Sequence, residues 1–267
     1  MTYTHLHHAV VNGDTRHLGG WKRDMPDHRD FKASTILKAP LKLPALANVN
    51  EYNIPVFDQK DVGSCTANGT IFCYTQLGCS LKRPMIILSR LLNYYMTRTR
   101  YEYVAPNDDS GAQVRNAVKC LAKYGSCLEA YWPYDPNPSV RFAIKPSLQA
   151  TKDATNHMLL TYSSVRSLQE LKQAITTNHA VVGGFTCFDN LYDDSVAKTG
   201  VILAPTNNNY VIGGHCVAFT GYDDKKQLLK FRNSWGKTWG NKGSGFLPYS
   251  YIAQGLATDF WMMTAEK

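Results

Sequence analysis

Residues 59–68 read Gln59-Lys60-Asp61-Val62-Gly63-Ser64-Cys65-Thr66-Ala67-Asn68, and the reading of this stretch decides the fold. Gly63-Ser64 supplies a turn and a capping hydroxyl, after which Ala67, Ile71, Tyr74 and Leu77 recur near helical spacing. The pattern predicts a helix over 65–77 with Cys65 in its first turn. The positive end of a helix favours thiolate, which would lower the thiol pKa in the direction nucleophilic chemistry needs. Downstream lie Gly213-Gly214-His215-Cys216 and Arg232-Asn233-Ser234-Trp235-Gly236. A thiol becomes a good nucleophile when an imidazole takes its proton, and that imidazole needs a third group to orient its ring. A developing oxyanion needs donors already in place, and the Gln59 amide lies six residues before the thiol. His215 follows Cys65 by 150 residues, and Asn233 follows His215 by 18.

An N-terminally placed Cys with His and Asn at that remove is the papain and cathepsin arrangement. The chain resembles the papain-like cysteine peptidases (peptidase family C1), and within them a bacterial branch of the xylellain type. Further blocks sustain the resemblance in order: Gly20 through Asp30, Asp109-Ser110-Gly111-Ala112, Tyr124-Gly125, Tyr131-Trp132-Pro133-Tyr134, Thr199-Gly200-Val201 and Gly221-Tyr222-Asp223-Asp224. The resemblance implies that Cys65 is the nucleophile, His215 the general base and acid, Asn233 its orienting partner and Gln59 an oxyanion donor. It implies that Gly214 contacts substrate through its backbone, and that Trp235 covers the His215–Asn233 bond and walls the leaving-group side. Ser110 and Gly111 fall where family members run an extended segment alongside the substrate. Ser110 is also a candidate cap for the helix that follows.

The implied activity is peptide-bond hydrolysis through a thioester, with neither cofactor nor metal. Gly125 reaches Tyr131 after five intervening residues, which leaves no room for the histidine-bearing loop of a carboxydipeptidase and favours endopeptidase action. The same acyl-enzyme opened by an amine would make a transpeptidase or ligase, and a silent homologue would hold peptides without cutting them. Thr66 stands where plant and animal members usually have an aromatic residue, in keeping with the bacterial branch. The side chains that shape the main specificity pocket are placed by no motif.

The other features bound this reading. A hydrophobic fraction of 44% argues against wholesale disorder, and the longest apolar runs, such as Met85-Ile86-Ile87-Leu88, are too short to span a bilayer. The net charge of +8 comes from scattered Lys and Arg without a long basic run, so neither nucleic acid nor membrane is an expected partner; a peptide or protein substrate and a monomer are. The first residues lack a basic start and an apolar stretch, which points to a cytoplasmic protein or to export without a recognisable signal. Seven cysteines (Cys65, Cys73, Cys79, Cys120, Cys127, Cys187 and Cys216) show no zinc-like spacing, and Val62 stands where secreted relatives have a disulfide cysteine; reduced thiols are expected. His5, His7 and His8 are either metal ligands or, more simply, part of a solvated tail.

The chain divides into an N-terminal extension (1–48), a mainly helical lobe with Cys65 (49–140) and a strand-rich lobe with His215 and Asn233 (141–267). Helices are expected over 89–103, over 114–122 with Gly125 as the stop, and over 167–178 behind the capping box Ser167-Leu168-Gln169-Glu170. Strands are expected over 180–185, 211–222 and 227–232. The fold class is α+β: a papain-like helical lobe and an antiparallel barrel-like lobe with the cleft between them. Residues 19–36 either lie across that cleft as a propeptide-like plug, the zymogen reading, or serve as a structural strap.

Overall fold

The computed structural model describes residues 8–11, 14–37, 42–134 and 137–266; His5 and His7 lie outside them. The predicted nucleophile-bearing helix is α1 (Cys65–Ser80), and nearly all of it is buried, from Cys65 through Gly78. Burial on every side explains its weak amphipathic pattern: it is the central helix, with sheet against one side and helices against the other. Gly69 permits the close approach, since a Cβ there would lie 3.0 Å from Val182 Cγ2 and 3.4 Å from the Val217 carbonyl.

Around α1 stand α2 (Arg90–Arg100) and α3 (Val114–Tyr124). Ser89 caps α2 by accepting from Leu92 N at 3.1 Å, and Gly125 stops α3 at φ 72°, a conformation that favours glycine. The expected Ser110 cap is not made. Gln113 is the residue before the first turn of α3, and the Ser110 hydroxyl instead donates to the Gly111 carbonyl at 3.0 Å. Ser167 caps the helix Leu168–Thr176 through Glu170 N at 3.1 Å. The Glu170 carboxylate reaches back to Arg166 N, one residue beyond the usual capping box.

The strands, in chain order, are β1 (His8–Val11), β2 (Asp14–His17), β3 (Trp21–Lys22), β4 (Leu46–Asn48), β5 (Ala112–Gln113), β6 (Leu159–Val165), β7 (Val181–Phe188), β8 (Val211–Asp223), β9 (Leu228–Arg232), β10 (Ser244–Pro248) and β11 (Ala257–Glu266). One seven-stranded antiparallel sheet runs β10-β9-β8-β7-β11-β6, with β4 also paired to β8. This is the strand-rich half expected from the sequence, with a pairing order that is open rather than closed into a barrel. β8 is buried along most of its length because α1 covers one face and neighbouring strands flank both edges. β1 and β2 form a hairpin whose last residue, His17, delivers the chain to the mouth of the α1–β8 junction. β3 then pairs in parallel with β5.

Candidate active site

Cys65 is the first residue of α1, and its sulfur meets the main chain of Cys216 on β8. His215 precedes Cys216 and is fully buried. Its Nε2 lies 2.7 Å from Asn233 Oδ1, while its Nδ1 is buried with no hydrogen-bond partner. Asn233 follows β9, and its Oδ1 also accepts from Ser234 N at 2.8 Å. With Nε2 committed to Asn233, Nδ1 is the nitrogen left for a thiol proton. The Trp235 ring stacks on the imidazole at 4.6 Å and 30°, and Trp239 meets Trp235 edge-on at 5.2 Å, so two indoles keep water from the His215–Asn233 bond.

Gln59 is held from both ends. Its Oε1 accepts from Ser234 Oγ at 2.6 Å, and its Nε2 donates to the Val62 carbonyl at 3.0 Å and, at 3.4 Å, to the carbonyl of His17. Both amide hydrogens are thus in use, and the longer of the two bonds goes to the chain segment that enters beside the thiol. Asp109 braces the turn before α1 by accepting from Gly63 N at 2.9 Å and from the Tyr94 hydroxyl at 2.5 Å.

A peptide already occupies this groove, and it is the chain's own. The strap after β2 passes Cys65 so closely that a Cβ on Gly20 would lie 2.7 Å from the sulfur and 2.5 Å from the Gly63 carbonyl. Gly214 N donates to Leu18 O at 2.8 Å, and Ala112 N to Gly20 O at 3.0 Å. Gly111 sits at φ 70°, and a Cβ there would meet Gly19 O at 2.7 Å. Gly214 and Ala112 therefore hold the extended strap through their main-chain N–H groups, while Gly111, whose own N–H goes to the Tyr94 hydroxyl, and Gly214 are glycine where a side chain would collide. Ser110 lies beside this contact and makes no bond to the strap among those described.

Beyond Cys65 the strap is anchored by its side chains. Trp21 is buried against Gly184 and Gly214, where a Cβ would stand 2.1 Å and 2.6 Å from the indole. Its Nε1 donates to Asp259 Oδ2 at 3.1 Å, and Asp24 N donates to the same oxygen at 2.8 Å. Asp24 in turn accepts from Trp261 Nε1 at 2.8 Å and from Arg115 N at 3.1 Å. Arg115 is also paired with Asp30 at 2.5 Å and donates to the Met25 carbonyl. The sequence singled out the Gly20-to-Asp30 block but not its partners, because Arg115, Asp259 and Trp261 share no motif with it and meet it only through the fold.

Electrostatically the closed site is silent. Burial pushes the Cys65 thiol up to about 12, and Asp109 pushes the same way against the main-chain N–H groups that face the sulfur. Burial also lowers His215 to about 4, opposed by its bond to Asn233. The helix N-terminus was expected to favour thiolate. Under the strap, desolvation of both groups outweighs it, and thiol and imidazole are both neutral at pH 7. Cys73, Cys120, Cys127, Cys187 and Cys216 are also free thiols; Cys73 and Cys216 are buried core residues as the sequence suggested. Among the described residues no group of His, Cys, Asp or Glu is arranged to hold a metal ion, and no helix is long and apolar enough to cross a membrane.

A two-sided arrangement of this kind, thiol on a helix and imidazole with amide on a sheet, is matched by a known family. The papain family cysteine protease model matches residues 47–257, and the chain belongs to that family: it is a cysteine peptidase with a papain-like α+β fold. It is 33% identical to an uncharacterized peptidase C1-like protein of Acanthamoeba polyphaga mimivirus, over 91% of this chain and 86% of that one. Xylellain, a cysteine protease from Xylella fastidiosa, has a crystal structure that matches with a TM-score of 0.85 at 31% identity, covering 99% of both chains. Procathepsin B S9 from Trypanosoma congolense matches at a TM-score of 0.69 and 14% identity, over 93% of this chain and 87% of that one; this is a likeness of fold.

Proposed function

We propose that the protein is an endopeptidase that acts through a thioester on Cys65, and that its own N-terminal strap holds it inactive. The buried, unpartnered Nδ1 of His215 carries this reading, because Asn233 fixes the opposite nitrogen. With the strap displaced, Nδ1 takes the Cys65 proton and the thiolate attacks a peptide carbonyl. The oxygen receives hydrogen bonds from Gln59 Nε2 and the Cys65 main-chain N–H, at the place the His17 carbonyl now approaches. His215 returns the proton to the leaving amine, and water then opens the thioester. The cleft lies between the helical 49–140 and strand-rich 141–267 portions of the chain, and Ser110, Gly111 and Gly214 border the substrate backbone.

The test is acid-quenched turnover of a peptide ester by the full chain carrying Gly20→Ala, read by mass spectrometry. An acyl adduct on Cys65 is expected. Turnover with no such adduct, or with one on another residue, contradicts the mechanism. Gln59→Ala in the same background should lower kcat by roughly 10²- to 10³-fold with a smaller change in KM, because the donor acts on the transition state. Equal losses in binding and turnover would make Gln59 a structural residue.

Strap closure also depends on pH. Burial raises Asp24 to about 7, the neighbouring Asp259 carboxylate adds to this, and Trp261 and Arg115 oppose it. Burial raises Asp259 as well, against bonds from Asp24 N, Trp21 and Thr258 and the charge of Arg23. The closed form thus binds a proton that the open form releases at ordinary carboxyl pH. A raised acid stabilises closure fully below the open-state pKa of about 4 and loses that contribution as pH rises through about 7. The activity of the parent chain relative to Gly20→Ala should therefore climb between roughly pH 5 and 8. A flat ratio would remove Asp24 from the control of closure.

A further inference from the structure

The helical portion carries a second concave surface, which shares no lining residue with the catalytic groove. A cavity of about 760 Å³ opens beside α2, between Tyr95, Met96 and Arg100 of that helix, the turn at Tyr103 and Val104, and Lys145. Its walls are fixed. Arg98 is fully buried and donates to three carbonyls, those of Pro106 at 3.0 Å, Asp108 at 2.5 Å and Phe142 at 2.7 Å. The loop after α2 and the segment around residue 142 are thereby tied to the helix. A cavity built this way is preformed and gives up little freedom when something enters it.

The lining holds two cations, Arg100 and Lys145, and no carboxylate. Both are exposed, and among the described residues neither makes an ion pair or a hydrogen bond. The buried arginines of the same two helices are all engaged: Arg90 with Glu129 at 2.7 Å, Arg98 with its three carbonyls, and Arg115 with Asp30. Tyr103 stands at the cavity 87% exposed, with φ 53°. The turn that places it closes α2, where Glu102 N donates to Thr97 O at 3.1 Å and Val104 N to Arg98 O at 3.0 Å. Glycine takes such a left-handed position without strain, whereas this tyrosine pays a conformational cost and gains no burial for it. What the position supplies is an aromatic ring in solvent. Apolar surface continues on either side of Lys145 in the chain, with Ile144 exposed and Leu148 85% exposed. Tyrosine, methionine and arginine are the side chains that protein interfaces favour, and exposed apolar area of this kind marks a place where something docks.

We propose that this surface is a docking site, remote from Cys65, for an acidic peptide segment that carries a large apolar anchor, and that protein substrates are held by it while another part of them is cut. The substrate role rests on the peptidase reading above; the binding itself does not. The anchor, an aromatic or leucine side chain, enters the cavity against Tyr95, Met96 and Val104, and Tyr103 covers it. Carboxylates on either side of the anchor reach Arg100 and Lys145, which have no carboxylate of their own beside them. A basic segment is repelled by the same two cations, and the net charge of +8 draws acidic partners to the protein as a whole. Docking raises the local concentration of the attached substrate and so acts on KM rather than on the chemical step.

The probe is the fluorescein-labelled peptide Gly-Asp-Asp-Phe-Asp-Asp-Leu-Gly, titrated with the full chain and read by anisotropy. Arg100→Glu together with Lys145→Glu should weaken binding by roughly 10-fold or more, and that chain should instead bind the peptide with lysine in place of each aspartate. Serine in place of the peptide's phenylalanine should also cost roughly 10-fold. No binding by the parent chain overturns the proposal. So does equal binding of the serine peptide with displacement by heparin, which would mark a plain polyanion site. In the Gly20→Ala chain, joining the acidic segment to a fluorogenic peptide through a flexible linker should lower KM roughly 10-fold at unchanged kcat. The double charge reversal should abolish that gain and leave cleavage of the unjoined peptide as it was. An unchanged KM overturns the docking of substrates. Failure to cut either peptide overturns the peptidase reading and the substrate role with it, while the anisotropy titration judges the surface on its own.

Discussion

Gly20→Ala in the full chain is expected to raise peptide hydrolysis about 50-fold. The added methyl would sit 2.7 Å from the Cys65 sulfur and 2.5 Å from the Gly63 carbonyl, and the second of these is main chain that cannot swing aside. The strap must lift. Holding a closed form at roughly 99:1 over an open one takes only about 2.7 kcal/mol, and a clash of that depth costs as much. Trp21→Ala should act in the same direction by a different route. Burying the indole contributes up to about 3 kcal/mol to closure, and the variant loses that together with the bond to Asp259. Hydrolysis rates and thermal midpoints of both variants check this. Activity that stays at the parent level while the midpoint falls would make the strap a structural element and refute its inhibitory role.

Cys65→Ala in either of these opened chains should then remove hydrolysis by roughly 10⁴-fold or more, and His215→Ala should cost about 10²- to 10⁴-fold. The two act as one unit, so the double variant should be no worse than Cys65→Ala alone. The geometry behind this is the single free nitrogen of His215: Nε2 is tied to Asn233, Trp235 stacks on the ring, and Nδ1 has no other partner. Additive losses, or a Cys65→Ala chain that still cuts, would contradict the assigned roles. The comparison is made in an opened chain because the parent's thiol and imidazole are both held neutral by burial.

The elements that build the site were legible where local physics dictates them. Ser64 precedes α1 as expected, but its hydroxyl makes no cap bond and meets Tyr134 and Asn68 instead; Ser89 begins α2, Ser167 caps its helix, and Gly125 ends α3 because its backbone conformation requires it. The alternation over 211–222 identified a strand but not its depth; β8 is buried along most of its length, with α1 against one face and β7 and β9 along its edges. Of the two readings offered for Ser110 the cap fails, because a hydroxyl four residues ahead of the apolar stripe that begins at Val114 looks alike whether the helix starts at once or after a short strand. Here β5 intervenes, and it is β5 that pairs with the strap.

The catalytic candidates could be read because each carries a local signature, a glycine before His215 or a tryptophan after Asn233. The strap's grip could not. Trp21 meets Asp259 across 238 residues, and Asp24 meets Trp261 across 237. An isolated aspartate in a strand pattern gives no sign that it accepts the N–H of a distant indole. The same distance between sequence and space hid the reversal at Cys65. Its helix position favours thiolate, but burial raises the thiol, and Gly20, which passes its sulfur, lies forty-five positions upstream.

The central claim is that Cys65 is a thiol activated by His215 and sealed by the strap. The most direct measurement is the rate of Cys65 alkylation by iodoacetamide against pH, read by mass spectrometry, on the parent chain and on Gly20→Ala with and without His215→Ala. The account predicts slow alkylation of the parent, and fast alkylation of Gly20→Ala that persists well below the ordinary thiol pKa of about 8.5 and disappears when His215 is removed. A Gly20→Ala chain whose alkylation rises only through about pH 8.5, unaffected by His215→Ala, would contradict it.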